Sequence, residues 1–191
     1  MQYVVGVDEV GRGPVAGPVT VGVVCVHKDF DMSFFEGIPD SKKLSHQKRQ
    51  QWKEKIFAVP EIKFQIASIS ANMIDRIGIN KAITKAMEQA LRCLEVDPDS
   101  CHVLLDGGLR APAEFISQQT IIKGDEKEPL IAIASILAKE HRDEKMEKLA
   151  VRFKEYGFEK HKGYGTPEHL RTIKKFGLSR VHRATFLRRA K

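Results

Sequence analysis

The chain has 191 residues, 42% of them hydrophobic and 30% charged, which is enough apolar content for one domain with a sizeable core and excludes a disordered chain. No run approaches the roughly 18–20 apolar residues of a membrane span, and the opening MQYVVGVDEVGRG lacks the basic-then-apolar order of a signal peptide, so a cytoplasmic protein with no membrane partner is expected. The formal net charge of +7 argues against an acidic, solvating chain and for a polyanionic partner.

Tyr3–Asp8 (YVVGVD) is a short apolar run with β-branched residues, stopped by GRGP, and Pro18–Val26 (PVTVGVVCV) is a second. The pair predicts two antiparallel strands joined by a tight Pro/Gly connection. Ser45 is placed to cap a helix running through Phe57. Lys63–Ile69 (KFQIASI) alternates apolar and polar residues and predicts a third strand. Ile79, Ile83, Met87, Ala90, Leu91 and Leu94 recur at helical spacing and form one amphipathic face. Cys101–Leu105 and Thr120–Ile122 predict two more strands, short, buried and stopped by glycine. Pro129 opens a helix that continues to about Phe153, and Thr166-Pro167-Glu168 opens another that reaches Lys175. Strands first, then strands alternating with helices, predict an α/β class with a mixed sheet. The expected organisation is a single domain, 1–191, whose end, 160–191, is a helical extension. Cys25, Cys93 and Cys101 are odd in number and form no CxxC pair, so they are read as buried, reduced thiols rather than a disulfide framework or a zinc site.

The positive charge is unevenly placed. Residues 160–191 hold ten Lys/Arg against the single acid Glu168, while the other 159 residues hold 22 basic and 24 acidic groups. A basic segment of this kind can track a nucleic-acid backbone, each neutralised phosphate releasing counterions, or can be a solvated helix surface. His182-Arg183 within it can equally pack the last turn.

Three acidic spots stand apart from the usual solvated positions. Asp8-Glu9 ends the first strand, Asp106 follows HVLL and precedes Gly107-Gly108, and Asp125 follows TIIKG. Each is the first charge beyond a buried strand, beside glycine that lets another group approach the backbone. Such acids can simply cap turns; alternatively the strand ends converge, and converging carboxylates need a raised pKa or a cation. An all-oxygen donor set with no His/Cys cluster suits Mg²⁺ or Mn²⁺. Successive strand residues point to opposite faces, so a bend at Glu9 is expected to let both Asp8 and Glu9 line one site.

The segments GVDEVGRGPVAGPV (6–19), DSKKLS (40–45), LLDGG (104–108), IIKGDEKEPLIAIASILAKEHRD (121–143) and HKGYGTPEH (161–169) closely resemble, in order and spacing, blocks of the ribonuclease HII family, over essentially the whole chain. Arg12 in Gly11-Arg12-Gly13, and a first strand starting at Tyr3, match that family better than its sister ribonuclease HIII, which usually carries Gly-Thr-Gly and a long N-terminal domain. The resemblance implies a ribonuclease H-like mixed five-stranded sheet flanked by helices with a C-terminal helical extension. It implies metal-holding catalytic acids at Asp8, Glu9, Asp106 and Asp125, and recognition of a ribonucleotide 2′-hydroxyl and the adjoining deoxynucleotide by Gly11, Arg12, Gly13 and Tyr164. It implies cleavage of RNA–DNA hybrids, and of DNA duplexes at an embedded ribonucleotide, with 5′-phosphate and 3′-hydroxyl products, by a monomer.

Two divalent ions per site are expected with substrate, Asp8 and Asp106 shared between them and Glu9 and Asp125 completing one each. Arg12 is expected to contact a phosphate and Tyr164 to supply a stacking face and a hydroxyl. Ser41, Lys42, Lys43 and Lys123 are further candidates for phosphate contact. His141 is read as an exposed helix histidine without a catalytic role. Two rival readings are a metal-free nucleic-acid-binding module and a DNA nuclease of the same fold; the first predicts no cleavage and the second indifference to the 2′-hydroxyl.

Overall fold

The computed structural model describes residues 1–38 and 44–188. Five strands form one sheet in the order β3-β2-β1-β4-β5: β1 (Tyr3–Val10), β2 (Val19–His27), β3 (Lys63–Ile69), β4 (Cys101–Asp106) and β5 (Gln118–Ile121). β1 pairs antiparallel with β2, and β2 with β3, while β4 runs parallel to both β1 and β5, so the sheet is mixed as expected. The connection from β1 to β2 spans residues 11–18 and is not a tight turn; it carries the Gly-Arg-Gly segment. β5 differs from expectation too. It lies at the sheet's edge, and Ile122, placed in the strand from sequence, falls beyond it and is 74% exposed.

The helices cover both faces. They are α1 (His46–Phe57), α2 (Ala71–Ile77), α3 (Ile79–Arg92), α4 (Gly124–Lys127), α5 (Pro129–Arg152), α6 (Phe158–His161), α7 (Pro167–Phe176) and α8 (Ala184–Arg188). The caps work as read from sequence: Ser45 accepts from the Lys48 N–H and Thr166 from the His169 N–H. On one face, Val5, Val7, Val21, Val23, Val103 and Leu105 pack against Ile83, Met87 and Leu91 of α3. On the other, Val24 and Val26 pack against Leu130, Ile133 and Leu137 of α5.

α5 lies unusually close to the sheet because two strand positions facing it have no side chain. A Cβ on Gly6 would stand 2.4 Å from the Leu130 carbonyl carbon, and one on Gly22 2.4 Å from the Ala134 oxygen, so any other residue there would push the helix away. The two faces of the sheet thus fix its alternation: Gly6 faces α5, while Val5 and Val7 face α3.

The C-terminal segment folds back onto the β1–β2 connection. Val15 and Ala16 N–H groups donate to the Gly163 carbonyl, Gly17 N–H to that of Val181, and Arg183 N–H to that of Val15. Among the cysteines, Cys25 and Cys101 are buried as expected, but Cys93 at the end of α3 is exposed. Among the described residues no helix is long and apolar enough to cross a membrane.

Candidate active site

Asp8 and Asp106 occupy equivalent places on neighbouring parallel strands. The β1–β4 register ends at Val7↔Leu105, so both acids come one residue after the last pair. Asp8 shares the parity of Gly6 and turns toward α5, where Ser135 is its hydrogen-bond partner. Asp106 likewise faces away from the Val103 and Leu105 side chains, and its Oδ1 accepts the Gly124 N–H at 2.6 Å. Gly124 is the first residue of α4 and Asp125 the second, so the same contact tethers Asp125 beside Asp106; Asp125 is buried, 4% exposed.

Glu9 reaches this edge by a different route from the expected one. β1 stays in regular register through Glu9↔Val21 and Val10↔Thr20, so the strand does not bend there. Glu9 therefore points to the α3 face, opposite Asp8. Both acids still open into one cleft of about 200 Å³, because β4 pairing has ended and the strand is uncovered on that side. Gly11, Arg12, Gly13, Ser135, Lys139 and Tyr164 share its walls; Asp106 and Asp125 belong to the adjoining β4–β5 edge.

The electrostatics follow from this packing. Burial raises the Asp8 carboxyl to about 7, with the charges of Glu9 and Asp106 adding to the rise and hydrogen bonds from Ser135 and the Glu9 N–H opposing it. Burial also raises Glu9, offset by Arg12, whose Nη1 lies 3.4 Å from Glu9 Oε1. Among the described residues no three His, Cys, Asp or Glu side chains are drawn together closely enough to hold an ion between them. The carboxylates are instead engaged separately: Asp8 by Ser135, Asp106 by Gly124 and Glu9 by Arg12. Their chemistry nevertheless fits a hard divalent cation, since the donors are all oxygens and a buried carboxylate crowded by two others gains from added positive charge.

The Gly-Arg-Gly connection is held from beneath by two buried arginines. Arg183 Nε donates to the Gly17 carbonyl, Nη1 to Arg12 and Nη2 to Gly11; Arg142 Nε donates to Pro18 and Nη2 to Ala16. Both are fully buried, and burial pulls Arg183 down to about 9. Gly11 has φ 88°, and a Cβ on it would stand 2.2 Å from Arg142 Nε, so the loop can rest on the guanidinium only with glycine there. Arg12 is the exposed member. Its Nη2 donates to Asn80 Oδ1 of α3 at 2.8 Å while Nη1 faces Glu9.

Tyr164 is 45% exposed on the cleft wall, with the Arg142 guanidinium 5.9 Å from its ring centre. Lys123 takes a left-handed backbone conformation before α4, and its ammonium faces Glu126 rather than Asp125. Ser41, Lys42 and Lys43 lie outside the described residues. His141 is half-buried, not exposed, and burial lowers its pKa. His182 is buried among aromatic rings. The basic extension divides: Lys160, Arg171, Lys174, Lys175 and Arg180 are exposed, whereas Arg183 is spent on the loop carbonyls.

Sequence reasoning missed Ser135, Lys139, Arg142, Asn80 and Arg183. A signal existed for the first three: they recur at spacings of four and three on α5, which places them on one face of that helix. Lys139 is paired with Asp143, which with Glu140 also meets Arg49 of α1, so a buried ionic cluster ties α1 to the helix that walls the cleft.

Residues 5–189 match the family model described as Ribonuclease HII. A relative from Chlamydia pneumoniae described as Ribonuclease HII is 45% identical over 96% of this chain and 82% of its own length. Another, from Caldicellulosiruptor bescii, is 41% identical over 98% of this chain and 87% of its own. Among solved structures, the ribonuclease H2 from Pyrococcus horikoshii superposes with a TM-score of 0.79 at 26% identity, covering 98% of this chain and 96% of that one.

Proposed function

The chain belongs to the ribonuclease HII family, and from that premise we propose that it cuts the RNA strand of RNA–DNA hybrids and incises DNA duplexes at embedded ribonucleotides, leaving 5′-phosphate and 3′-hydroxyl ends. It is a hydrolytic endoribonuclease of the ribonuclease H kind. The observation that carries the finer reading is the edge at which Asp8, Glu9 and Asp106 crowd one another beside a glycine-rich loop and an exposed tyrosine.

Asp8, Glu9, Asp106 and Asp125 would hold divalent cations, Mg²⁺ or Mn²⁺, two with substrate bound. When bound, such ions supply activation of the attacking water and relief of charge on the phosphate and the departing 3′ oxygen. The protein's own residues do the selecting. The 2′-hydroxyl is the group that marks RNA against DNA at one sugar. The backbone of Gly11 and Gly13 can approach a sugar edge that bulkier residues would block, and Arg183 beneath holds the Gly11 and Arg12 carbonyls toward itself. Arg12 is the exposed cation for a phosphate, and Tyr164 presents a ring face to the neighbouring deoxynucleotide. Lys139, at the cleft floor, adds positive potential toward the phosphate backbone. Lys123 is exposed enough to meet the same backbone farther out.

The deciding experiment is incubation of a duplex holding one ribonucleotide with Mg²⁺ or Mn²⁺, followed by mapping of the cut. Incision beside the ribonucleotide, absent from the all-DNA control and abolished by a chelator, is expected. Cleavage of the all-DNA duplex at an equal rate would overturn the substrate assignment.

A further inference from the structure

Three histidines of the C-terminal segment form a buried cluster behind Tyr164, away from the carboxylates. His169 is 0% and His182 3% exposed, and their Nε2 atoms are 3.0 Å apart. His161 stacks on His169 with ring centres 4.1 Å apart, and Tyr156 and Phe158 close the cluster.

The partners fix which nitrogen carries each proton. The Tyr164 carbonyl can only accept, and it lies 2.8 Å from His169 Nδ1, so that nitrogen is the donor. The Ser179 backbone N–H can only donate, and it meets His182 Nδ1 at 3.0 Å, so that nitrogen is bare. One proton then remains between the two rings: His182 Nε2–H donates to His169 Nε2. The result is one directional chain, Ser179 N–H to His182 to His169 to the Tyr164 carbonyl. His161 is fixed by the same logic, its Nδ1 accepting from Gly163 N–H and its Nε2 donating to the Tyr156 carbonyl. Gly163 and Tyr164 are therefore anchored by two histidine rings on one side, while the Gly163 carbonyl takes the Val15 and Ala16 N–H groups on the other.

We infer that His169 and His182 are positioning residues for Tyr164, two neutral imidazoles passing one hydrogen-bond direction to its carbonyl and so setting where its ring stands over the cleft. The inference rests on the reading of Tyr164 as a substrate contact. It assigns both rings a task in substrate binding although neither touches the cleft.

Two measurements test it. Nitrogen-15 spectra of the imidazoles in the wild-type protein at neutral pH should show His169 protonated at Nδ1 and His182 at Nε2; the opposite tautomer at His169, or a charged ring, would overturn the chain. Kinetics on a duplex with one ribonucleotide should show KM raised about tenfold in H169F, with kcat changed less than about threefold, the expected scale for one lost directional hydrogen bond. H169N keeps an N–H at the Nδ1 position and should restore most of the loss. In the Tyr164→Ala background, H169F should add nothing. If H169F multiplies the Tyr164→Ala defect, the ring acts by another route and the positioning role fails while the reading of Tyr164 stands. If Tyr164→Ala alone behaves as wild type, the reading of Tyr164 fails and the positioning role with it.

Discussion

Asp8 and Asp106 stand at matched positions on adjacent parallel strands, each one step past the last paired residues, Val7 and Leu105. Two carboxylates so placed cannot separate without breaking the sheet; burial raises the Asp8 carboxyl to about 7, and the charges of Glu9 and then Asp106 add to the rise.

Substituting asparagine at Asp8, Asp106 or Asp125 keeps side-chain size and removes one negative charge. Each variant should lose cleavage by roughly 10²-fold or more, the scale for removing a group that stabilises charge in the transition state. Calorimetric titration with Mn²⁺ should show weakened binding in parallel. An Asp106→Asn enzyme with wild-type turnover would remove it from the reaction.

Tyr164→Ala should weaken incision at an isolated ribonucleotide while leaving Mn²⁺ binding unchanged, because the ring is an uncharged part of the cleft wall. The loss expected for one base or sugar contact is about 1–3 kcal/mol, roughly 10–100-fold in kcat/KM. Undiminished activity on that substrate is the contrary result.

Arg183→Met removes the donor to three carbonyls, two of them in buried bonds and the third, of Arg12, part-buried. Each unsatisfied acceptor costs on the order of 1 kcal/mol or more, so a destabilisation of about 3 kcal/mol is expected in urea unfolding. Activity should fall further than stability explains, since the Gly11 and Arg12 carbonyls lose their anchor. An unchanged urea midpoint would show that other groups hold the loop.

Acid should loosen the C-terminal segment. Burial, and then His169, hold His182 down at about 4, and burial lowers His169 as well. An imidazole whose folded value lies below its unfolded value binds more protons when unfolded, so the stability it lends is complete above about pH 6.5 and is lost as pH falls toward 4. A loss on the order of 2 kcal/mol across that window is expected from unfolding curves at several pH values. H182Q should flatten the slope; an equal slope in H182Q would assign it elsewhere.

The exposed cations of the extension should contribute to salt dependence. Replacing Lys174 and Lys175 with alanine is expected to lower the slope of log binding constant against log salt by up to about 2 if both meet phosphates. An unaltered slope would mark that helix face as merely solvated.

Much of this was legible in the residues. Apolar runs gave all five strands to within a few residues, Ser45 and Thr166 announced helix starts, and acids read as following the strands fall within or just beyond the strand ends at one edge of the sheet. What escaped was set by packing rather than by pattern. The strand through Glu9 stays straight because β2 pairs with it to Val10, so plain alternation holds there and the expected bend, which depends on how far the partner strand extends, does not form. Arg183, within a basic tail, is open to either a surface or a packing role, and only the closed fold shows the loop carbonyls that take its three donors. His169 lies in α7 and His182 thirteen positions on, beyond the helix, so their pairing has no local trace.

The union of residues 15–18 with the segment around Gly163 and Val181 bears on when the enzyme becomes competent. Those stretches lie about 150 positions apart, and closing so large a loop is slow relative to forming local helices and hairpins. The cleft wall that carries Tyr164 cannot form on a nascent chain until its last sixth has left the ribosome. On the reading of Tyr164 as a substrate contact, a nascent chain still short of Val181 lacks the wall that would meet the ribonucleotide.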